Sequence, residues 1–269
     1  MSDENGDGSA MGSEVTDRIS ESMGRLLGGD YTPSGEDDES SPQGRRERLN
    51  QRLVALEMRR QRNIEAVAAA AYEAAGYRPD GGEASLIDED WMVRFIDHVQ
   101  DIGNPLMQEV WGQVLAREAH DPGIFSTQAL DGLFKMTADD FETWKRAGRL
   151  AFPTGYLLKL GTRLDFEEFG LGGKDIVRLQ ALDLVQEPED LNVTFYAPTK
   201  GLTFDFNGAD LTVRHPERTL FTIPAFKLTA IGNELLAPLA LAPTDLDYLR
   251  ALGDELRKQG FDYRLREKD

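Results

Sequence analysis

The three histidines are the first residues to consider for chemistry, because imidazole serves both as a metal ligand and as a general base near neutral pH. His120 and His215 stand far apart in the sequence, whereas His98 lies between Asp97 and Asp101. On a helix the two carboxylates would share a face about 100° away from the imidazole. The chain has no Cys, which removes thiolate ligands and thiol nucleophiles together. We therefore predict no metal site and no catalytic residue.

A glycine-rich stretch, GLGGK at residues 170–174, has the composition of a phosphate-binding loop. It lacks the spacing of such a loop, and Asp175 stands where a Ser or Thr is needed. The carboxylate of Asp175 would repel a phosphate, so we predict a turn between two helices and no cofactor. No nucleophile elbow or kinase signature occurs in the chain. The sequence favours a non-enzymatic protein, and an enzyme without a recognisable motif stays open as an alternative.

Basic side chains form the pattern best suited to binding. Seven arginines fall within eighteen residues of a long helical pattern, and two further basic residues lie in a later predicted helix. A basic amphipathic helix can bind nucleic acid, a membrane surface or an acidic protein. The alternative is a solvated face that pairs with acidic residues of the same chain. The predicted contact residues are Arg45, Arg46, Arg48, Arg52, Arg59, Arg60, Arg62, Lys174 and Arg178.

The overall charge argues against most anionic partners. The net charge is −18, of which residues 1–44 carry −9 through eleven acidic and two basic side chains. An acidic body repels nucleic acid and anionic lipid at long range, so any such binding would need a local basic patch. No window approaches the roughly 18 consecutive apolar residues of a membrane helix, and the first residues lack the features of a signal peptide. We expect a cytoplasmic protein with a protein partner or self-association, and no membrane contact.

The elements that must position these residues form a predicted α+β fold that is mostly α. Residues 1–44 are predicted to be a disordered acidic tail, because they offer too little apolar surface to offset the entropy of ordering. Within the tail, Val15, Ile19, Met23 and Leu26 share one helical face and predict a transient or partner-docking helix. Residues 45–78 form a long Arg-rich helix that ends at Gly76.

Residues 79–152 are predicted to form an antiparallel helical bundle. Each helix begins at a polar cap, for which Asp88, Asn104, Ser126 and Thr137 are the candidates, and Ser85 is an alternative to Asp88. Pro at position 105 suits the first helical turn, where its missing N–H costs nothing. Buried apolar residues between these caps explain the regular pattern without any ligand.

Residues 153–269 are predicted to form an α+β domain. Strand-like runs cover 192–197, 202–206, 210–214 and 219–223, and a last strand follows Gly260. Pro198 to Gly201 predicts a first hairpin loop and Asn207-Gly208 a second. Two helices followed by a β-hairpin is the element order of a winged helix, so the domain is predicted to be winged-helix-like.

The middle of the chain resembles a known family. Its pattern consists of an Asp-Trp pair, a Gln-x-x-Trp helix and a Glu-to-Pro-Gly turn, here Asp90-Trp91, Gln108 to Trp111 and Glu118 to Gly123. These residues, with the stretches 59–75 and 226–235, resemble an uncharacterised bacterial family known as domain of unknown function 2806. The resemblance covers roughly residues 45–240 and implies no catalytic residue. A more distant similarity to proteins called abortive-infection alpha implies a role in phage defence.

These observations lead to one favoured function and two alternatives. We expect an interaction or regulatory protein without enzymatic activity, acting in bacterial phage defence or a stress response. A nucleic-acid-binding regulator would instead use the Arg-rich helix and the winged-helix-like domain. An enzyme is the third possibility, and a cleft that joined acidic residues to His98 or His120 would support it.

Overall fold

The computed structural model describes residues 17–24, 42–76, 86–161, 166–187, 191–217, 220–236 and 243–268. Helices and antiparallel sheets within these residues confirm the predicted α+β class. Residues 17–24 of the predicted tail are helical, and the tail's last three residues already belong to the first long helix. The rest of the predicted tail lies outside the described residues.

The helices begin where the polar caps predict. Asp88, Asn104 and Ser126 each accept a hydrogen bond from a backbone N–H of the following turn, and Thr137 forms a capping box with Asp140. These contacts satisfy N–H groups that the helix itself leaves without partners. The helices are α1 Pro42–Ala75, α2 Glu89–Val99, α3 Pro105–His120, α4 Thr127–Phe134, α5 Ala138–Leu150, α6 Gly173–Ala181, α7 Ala230–Leu236 and α8 Leu246–Lys258, with a 3₁₀ turn at Glu167–Phe169.

Helix α1 packs along α3 through small residues. A Cβ placed on Gly112 would lie 2.5 Å from Cβ of Ala70 and 2.8 Å from the backbone nitrogen of Ala71. Such distances are below any tolerable carbon contact, so the approach of the two helices requires glycine at this position. Val67 and Ala71 are buried in the same contact. The helix backbones are therefore nearly in contact at this crossing.

Amide side chains determine the register of α1 on α3. Asn63 Nδ2 donates to the Gln100 carbonyl at 2.8 Å, and Gln108 Nε2 donates to the Ile102 carbonyl at 2.8 Å. Gln108 Nε2 also donates to Asn63 Oδ1 at 3.3 Å. Asn63 thus lies beside Gln108 while Ala70 lies beside Gly112, so α1 and α3 run in the same direction.

A buried carboxylate holds the turn after α3. Glu118 is 1% exposed and accepts hydrogen bonds from the N–H groups of Gly123 and Phe125, at 2.6 and 3.1 Å. Trp91 Nε1 donates to the Phe125 carbonyl at 2.9 Å, which ties α2 to the same turn. The tight turn predicted at Asp121 to Gly123 is confirmed, and its Glu is a structural residue because its oxygens are used by backbone donors.

Two antiparallel sheets follow the helices. The first has the order β1–β2–β7–β3, with β4 also pairing with β7, and the second has the order β5–β6–β8. The long strand β7 pairs with β2 on one side and with both β3 and β4 on the other. The strands are β1 Ala151–Phe152, β2 Tyr156–Leu158, β3 Val185–Gln186, β4 Asn192–Tyr196, β5 Leu202–Phe206, β6 Ala209–Arg214, β7 Leu220–Leu228 and β8 Asp262–Glu267.

One of the two predicted hairpins is wrong. Asn207 and Gly208 do connect β5 to β6, with Phe206 opposite Ala209. The loop from Pro198 to Gly201 does not make a hairpin, because β4 pairs with β7 rather than with β5. Pro198 to Gly201 does form a tight turn, in which the Gly201 N–H donates to the Pro198 carbonyl. The strands on either side of the turn nevertheless pair with other strands that lie far along the chain.

The buried apolar residues of helices and sheets form one continuous core. Phe152, at the end of β1, lies with ring-centroid distances of 4.5, 4.9 and 5.4 Å from Phe204, Phe206 and Phe195. These rings belong to both sheets, so they join the sheets beneath the helices. The division predicted between residues 152 and 153 stays a prediction. None of the helices described in the structure is long and apolar enough to cross a lipid bilayer.

The close crossing of α1 and α3 generates a stability prediction. Gly112→Ala should lower the free energy of unfolding by about 1–3 kcal/mol, because overpacking outweighs the better helix propensity of alanine. Gly103→Ala is the matched control, since a Cβ at that position has no neighbour within 4 Å. Urea unfolding followed by Trp fluorescence measures both. Equal stability of the Gly112→Ala variant and the wild type would show that the helices can separate without cost.

Candidate partner-binding surface

The first half of α1 extends beyond the body of the protein. Arg59 and Arg60 of α1 pair with Asp101 in the loop before α3. Because α1 and α3 run in the same direction, residues that precede Arg59 lie beyond the start of α3. This segment, residues 42–58, is called the α1 extension. A helix of its seventeen residues is about 25 Å long.

An apolar stripe on the extension is only partly covered in the described structure. Leu49, Leu53 and Leu56 lie at steps of four and three, which places them on one helical face. Leu49 and Leu53 are 43% and 44% exposed, and Leu56 is half-buried. We call these three residues the uncovered seam.

The uncovered seam continues the buried face of the same helix. Val67 follows Leu49 by eighteen residues, which is five full turns at 3.6 residues per turn. Val67 is 1% exposed because α3 covers it, and Asn63 and Ala71 are buried on the same side. The same helical face is therefore a core face in the second half of α1 and a solvent face in the first half.

Further apolar groups widen this surface beside Leu53. A shallow groove is lined by Leu53, Val54 and Met58, with the polar side chains of Glu57 and Gln61 at its rim. Val54 and Met58 are 65% and 59% exposed. Exposed apolar side chains gathered on one helical segment are typical of interaction sites.

The predicted arginines surround the seam in two different ways. Arg59 and Arg60 are bound to Asp101, and this pairing raises the pKa of Arg60 above its ordinary value. These two residues therefore attach α1 to the body. The remaining five have exposed side chains on or next to the extension: Arg45, Arg46, Arg48, Arg52 and Arg62.

The two predicted basic residues of α6 do not join this surface. Helix α1 packs on α2 and α3, whereas α6 packs on α5 and β3. Lys174 is exposed. Arg178 forms two hydrogen bonds to the buried carboxylate of Asp140, from Nε at 2.7 Å and from the second amino group at 2.8 Å. Arg178 therefore holds α6 against the start of α5.

The imidazole of His98 is paired with a carboxylate. His98 Nε2 lies 2.9 Å from the Asp131 carboxylate, and its ring stacks on Phe134 at a centroid distance of 4.5 Å. Within the described ranges, no group of three or more His, Asp or Glu side chains is close enough to hold a metal ion. The expectation that the protein has no catalytic residue stays a prediction.

Two features of the surface were missed by sequence reasoning. Val54 and Met58 fall off the leucine stripe, so their periodicity carried no signal. The role of Asp101 as the acceptor for two arginines was also not predicted, because the residues are about forty positions apart in the chain.

The pair formed by Asp140 and Arg178 generates a pH prediction. The Arg178 guanidinium and the Thr137 backbone N–H hold the pKa of Asp140 far below its ordinary value of 3.8. Because the pKa of Asp140 is lower in the folded state than in the unfolded state, its ionised carboxylate stabilises the fold at any pH above the unfolded-state pKa. This stabilisation is lost progressively as the pH falls from the unfolded-state pKa toward the folded-state pKa. Asp140→Asn should therefore cost about 1–3 kcal/mol of unfolding free energy at pH 7.

The difference between the wild type and Asp140→Asn should shrink as the pH is lowered from about 5 toward 3. Urea unfolding at several pH values measures it. Asp139→Asn is the control, because Asp139 is the exposed neighbour in the same helical turn. A difference that stays constant over this pH range would rule out ionisation of Asp140 as its source.

Comparison with known proteins gives a family match in the helical part of the chain. Residues 47–160 match the sequence profile of a family described as protein of unknown function (DUF2806). The resemblance predicted from the sequence is confirmed over this range, whereas the stretch 226–235 lies outside it. The match begins within the α1 extension, so most of the extension lies in the matched range. No curated protein and no solved structure matches the chain.

Proposed function

We propose that the protein is a non-enzymatic interaction module. An amphipathic helix of a partner protein docks on the uncovered seam, which lies within the matched residues 47–160. The observation that carries this proposal is the change of α1 from a buried to an exposed face along one stripe. Leu49 and Leu53 expose more than two-fifths of their surface, although they continue the face on which Val67 is buried. A helix laid along the stripe would cover them as α3 covers Val67.

Charge defines the kind of partner. Residues 45–62 contain seven arginines and two glutamates, a net charge of +5 within a chain of net charge −18. Arginines beside an apolar stripe pair with acidic side chains that flank the stripe of a partner helix, as at the edges of a coiled coil. The preferred partner helix therefore has leucine-type residues at steps of three and four, with Asp or Glu beside them.

Phage defence or a stress response is the proposed setting of this interaction. Its support is the resemblance of the central helices to abortive-infection alpha proteins. A partner that belongs to neither process would remove this part of the proposal.

The partner proposal is tested by affinity purification from the native host, with and without nuclease. The wild type should retain one stoichiometric partner in the presence of nuclease, and Leu49→Ser/Leu53→Ser should lose most of it. The reason is that loss of two central apolar contacts should raise the partner's Kd by at least tenfold. Cross-linking and mass spectrometry should place the partner's contact on an acidic amphipathic helix.

Asn50→Ser/Gln51→Ser is the matched control, since both residues are exposed on the extension and lie off the seam. It should retain the partner. Equal capture of the partner by the two double variants would contradict the proposal. Release of the captured partner by nuclease treatment would also contradict it.

A nucleic-acid-binding regulator is the second candidate, favoured by the order of elements after α5. The 3₁₀ turn and α6 are followed by β3 and β4, which pair with β7. Two helical elements and a β-ribbon in this order support a winged-helix-like arrangement in which α6 would be the reading helix. Against it, Arg178 on α6 is bound to Asp140, and the chain is strongly acidic.

A gel shift separates the two candidates. At about 50 mM salt, where phosphate contacts are strongest, we expect no retardation of duplex DNA or single-stranded RNA by the full chain. Retardation that Arg45→Gln/Arg52→Gln weakens would overturn this choice in favour of nucleic-acid binding. Arg250→Gln/Arg257→Gln, at two exposed positions of α8, is the control for the loss of two positive charges.

A further inference from the structure

A second apolar stripe is present at the N-terminal end of the chain. Residues 15–27 read VTDRISESMGRLL, with apolar residues at steps of four, four and three. The described part of this segment, 17–24, is helical, and Ile19 is 49% exposed. We propose that residues 15–27 dock on the uncovered seam of the same chain. This inference rests on the proposed role of the seam, since the segment would compete with the partner helix for it.

Spacing makes the two stripes complementary. Ile19 and Met23 are separated by four residues, as are Leu49 and Leu53. Helices whose apolar residues recur at three and four positions interdigitate along a shared stripe. Docking would thus cover the exposed parts of both stripes with one contact.

Charge favours the same pairing. Residues 1–44 carry a net charge of −9, whereas residues 45–62 carry +5. Opposite charges on neighbouring segments attract each other at the separations within one Debye length, about 8–10 Å at physiological salt. Residues 15–27 hold two acidic and two basic side chains, so the charge of −9 lies in the flanking stretches 1–14 and 28–41, which carry −4 and −5. These flanking stretches are therefore drawn to the extension more strongly than to the acidic body.

The connecting chain has a suitable length. Residues 28–41 separate the segment from the start of α1, and fourteen residues reach at most about 46–50 Å. Leu53 lies about 17 Å along the helix from Pro42, at 1.5 Å per residue. A connection long enough to span this distance makes the contact intramolecular, which raises the effective concentration of the segment at the seam. A contact of three or four apolar side chains can therefore form within the chain although it would be weak between separate molecules.

A second copy of the chain is a less suitable occupant. Arg45, Arg52 and Arg59 recur at seven-residue steps along one flank of the seam. In an antiparallel pair of α1 helices these flanks would face each other, because flanking positions pair with their own kind in that orientation. Two molecules of net charge −18 also repel each other as they approach.

Disulfide trapping in the full chain tests the inference. The protein has no Cys, so a double variant reports on one chosen pair of positions. Met23→Cys/Leu53→Cys joins the middle of the segment to the middle of the seam, which meet in either orientation of the two helices. Under mild oxidation at low micromolar concentration, we expect an intramolecular disulfide at least tenfold faster than in Met23→Cys/Gln51→Cys. Gln51 is exposed and about 160° around the helix from Leu53.

Non-reducing electrophoresis and peptide mass spectrometry read out the product. Equal rates for the two variants would overturn the inference. A product that is mainly dimeric and increases with protein concentration would also overturn it, in favour of a second copy. Either failure leaves the partner proposal intact, since capture of a partner by the seam does not need the segment. Failure of the wild-type chain to capture a partner, together with rapid intramolecular disulfide formation in Met23→Cys/Leu53→Cys, would instead contradict the partner proposal alone.

Discussion

The close crossing of α1 and α3 at Gly112 determines the shape of the molecule. At this crossing the two helix backbones are so close that no side chain fits at position 112 of α3. Ala70 and Ala71 of α1 form the other side of the contact. The amide groups of Asn63 and Gln108 then set the register. Since α3 begins at Pro105, the part of α1 that precedes Arg59 lies beyond the start of α3. The exposed position of the seam is a direct consequence.

Residues of the Asp-Trp, Gln-x-x-Trp and Glu-to-Pro-Gly pattern maintain turns and contacts between helices. Glu118 binds two backbone N–H groups of the turn that follows α3, and Gln108 binds the loop that precedes it. Trp91 and Trp111 are buried in the core, with the ring of Phe95 between them at centroid distances of 5.2 and 5.5 Å. A pattern rich in polar and aromatic residues is thus explained by hydrogen bonding and packing. The exposed residues of the extension carry the features that suit recognition.

Charge is distributed so that binding depends on position along the chain. An acidic chain of net charge −18 contains one helix whose first half is basic. Two of its arginines are bound to Asp101, and the exposed ones lie beside apolar side chains. Apolar surface supplies affinity and charge supplies selectivity, because an acidic helix is attracted to this segment and repelled by the rest. The same charges would also favour docking of the chain's own acidic end.

The sequence by itself determined the local features of the protein. The helix starts at Asp88, Asn104, Ser126 and Thr137 were predictable because a cap binds N–H groups within three residues of itself. The β5–β6 hairpin was predictable because Asn207-Gly208 favours a tight turn between the two strands that it joins directly. Only the tertiary structure decided which strand β4 pairs with, that Arg178 is bound to Asp140, and where α3 stops covering α1. Each of these depends on contacts between residues distant in sequence, and local patterns do not encode which of several compatible partners lies closest.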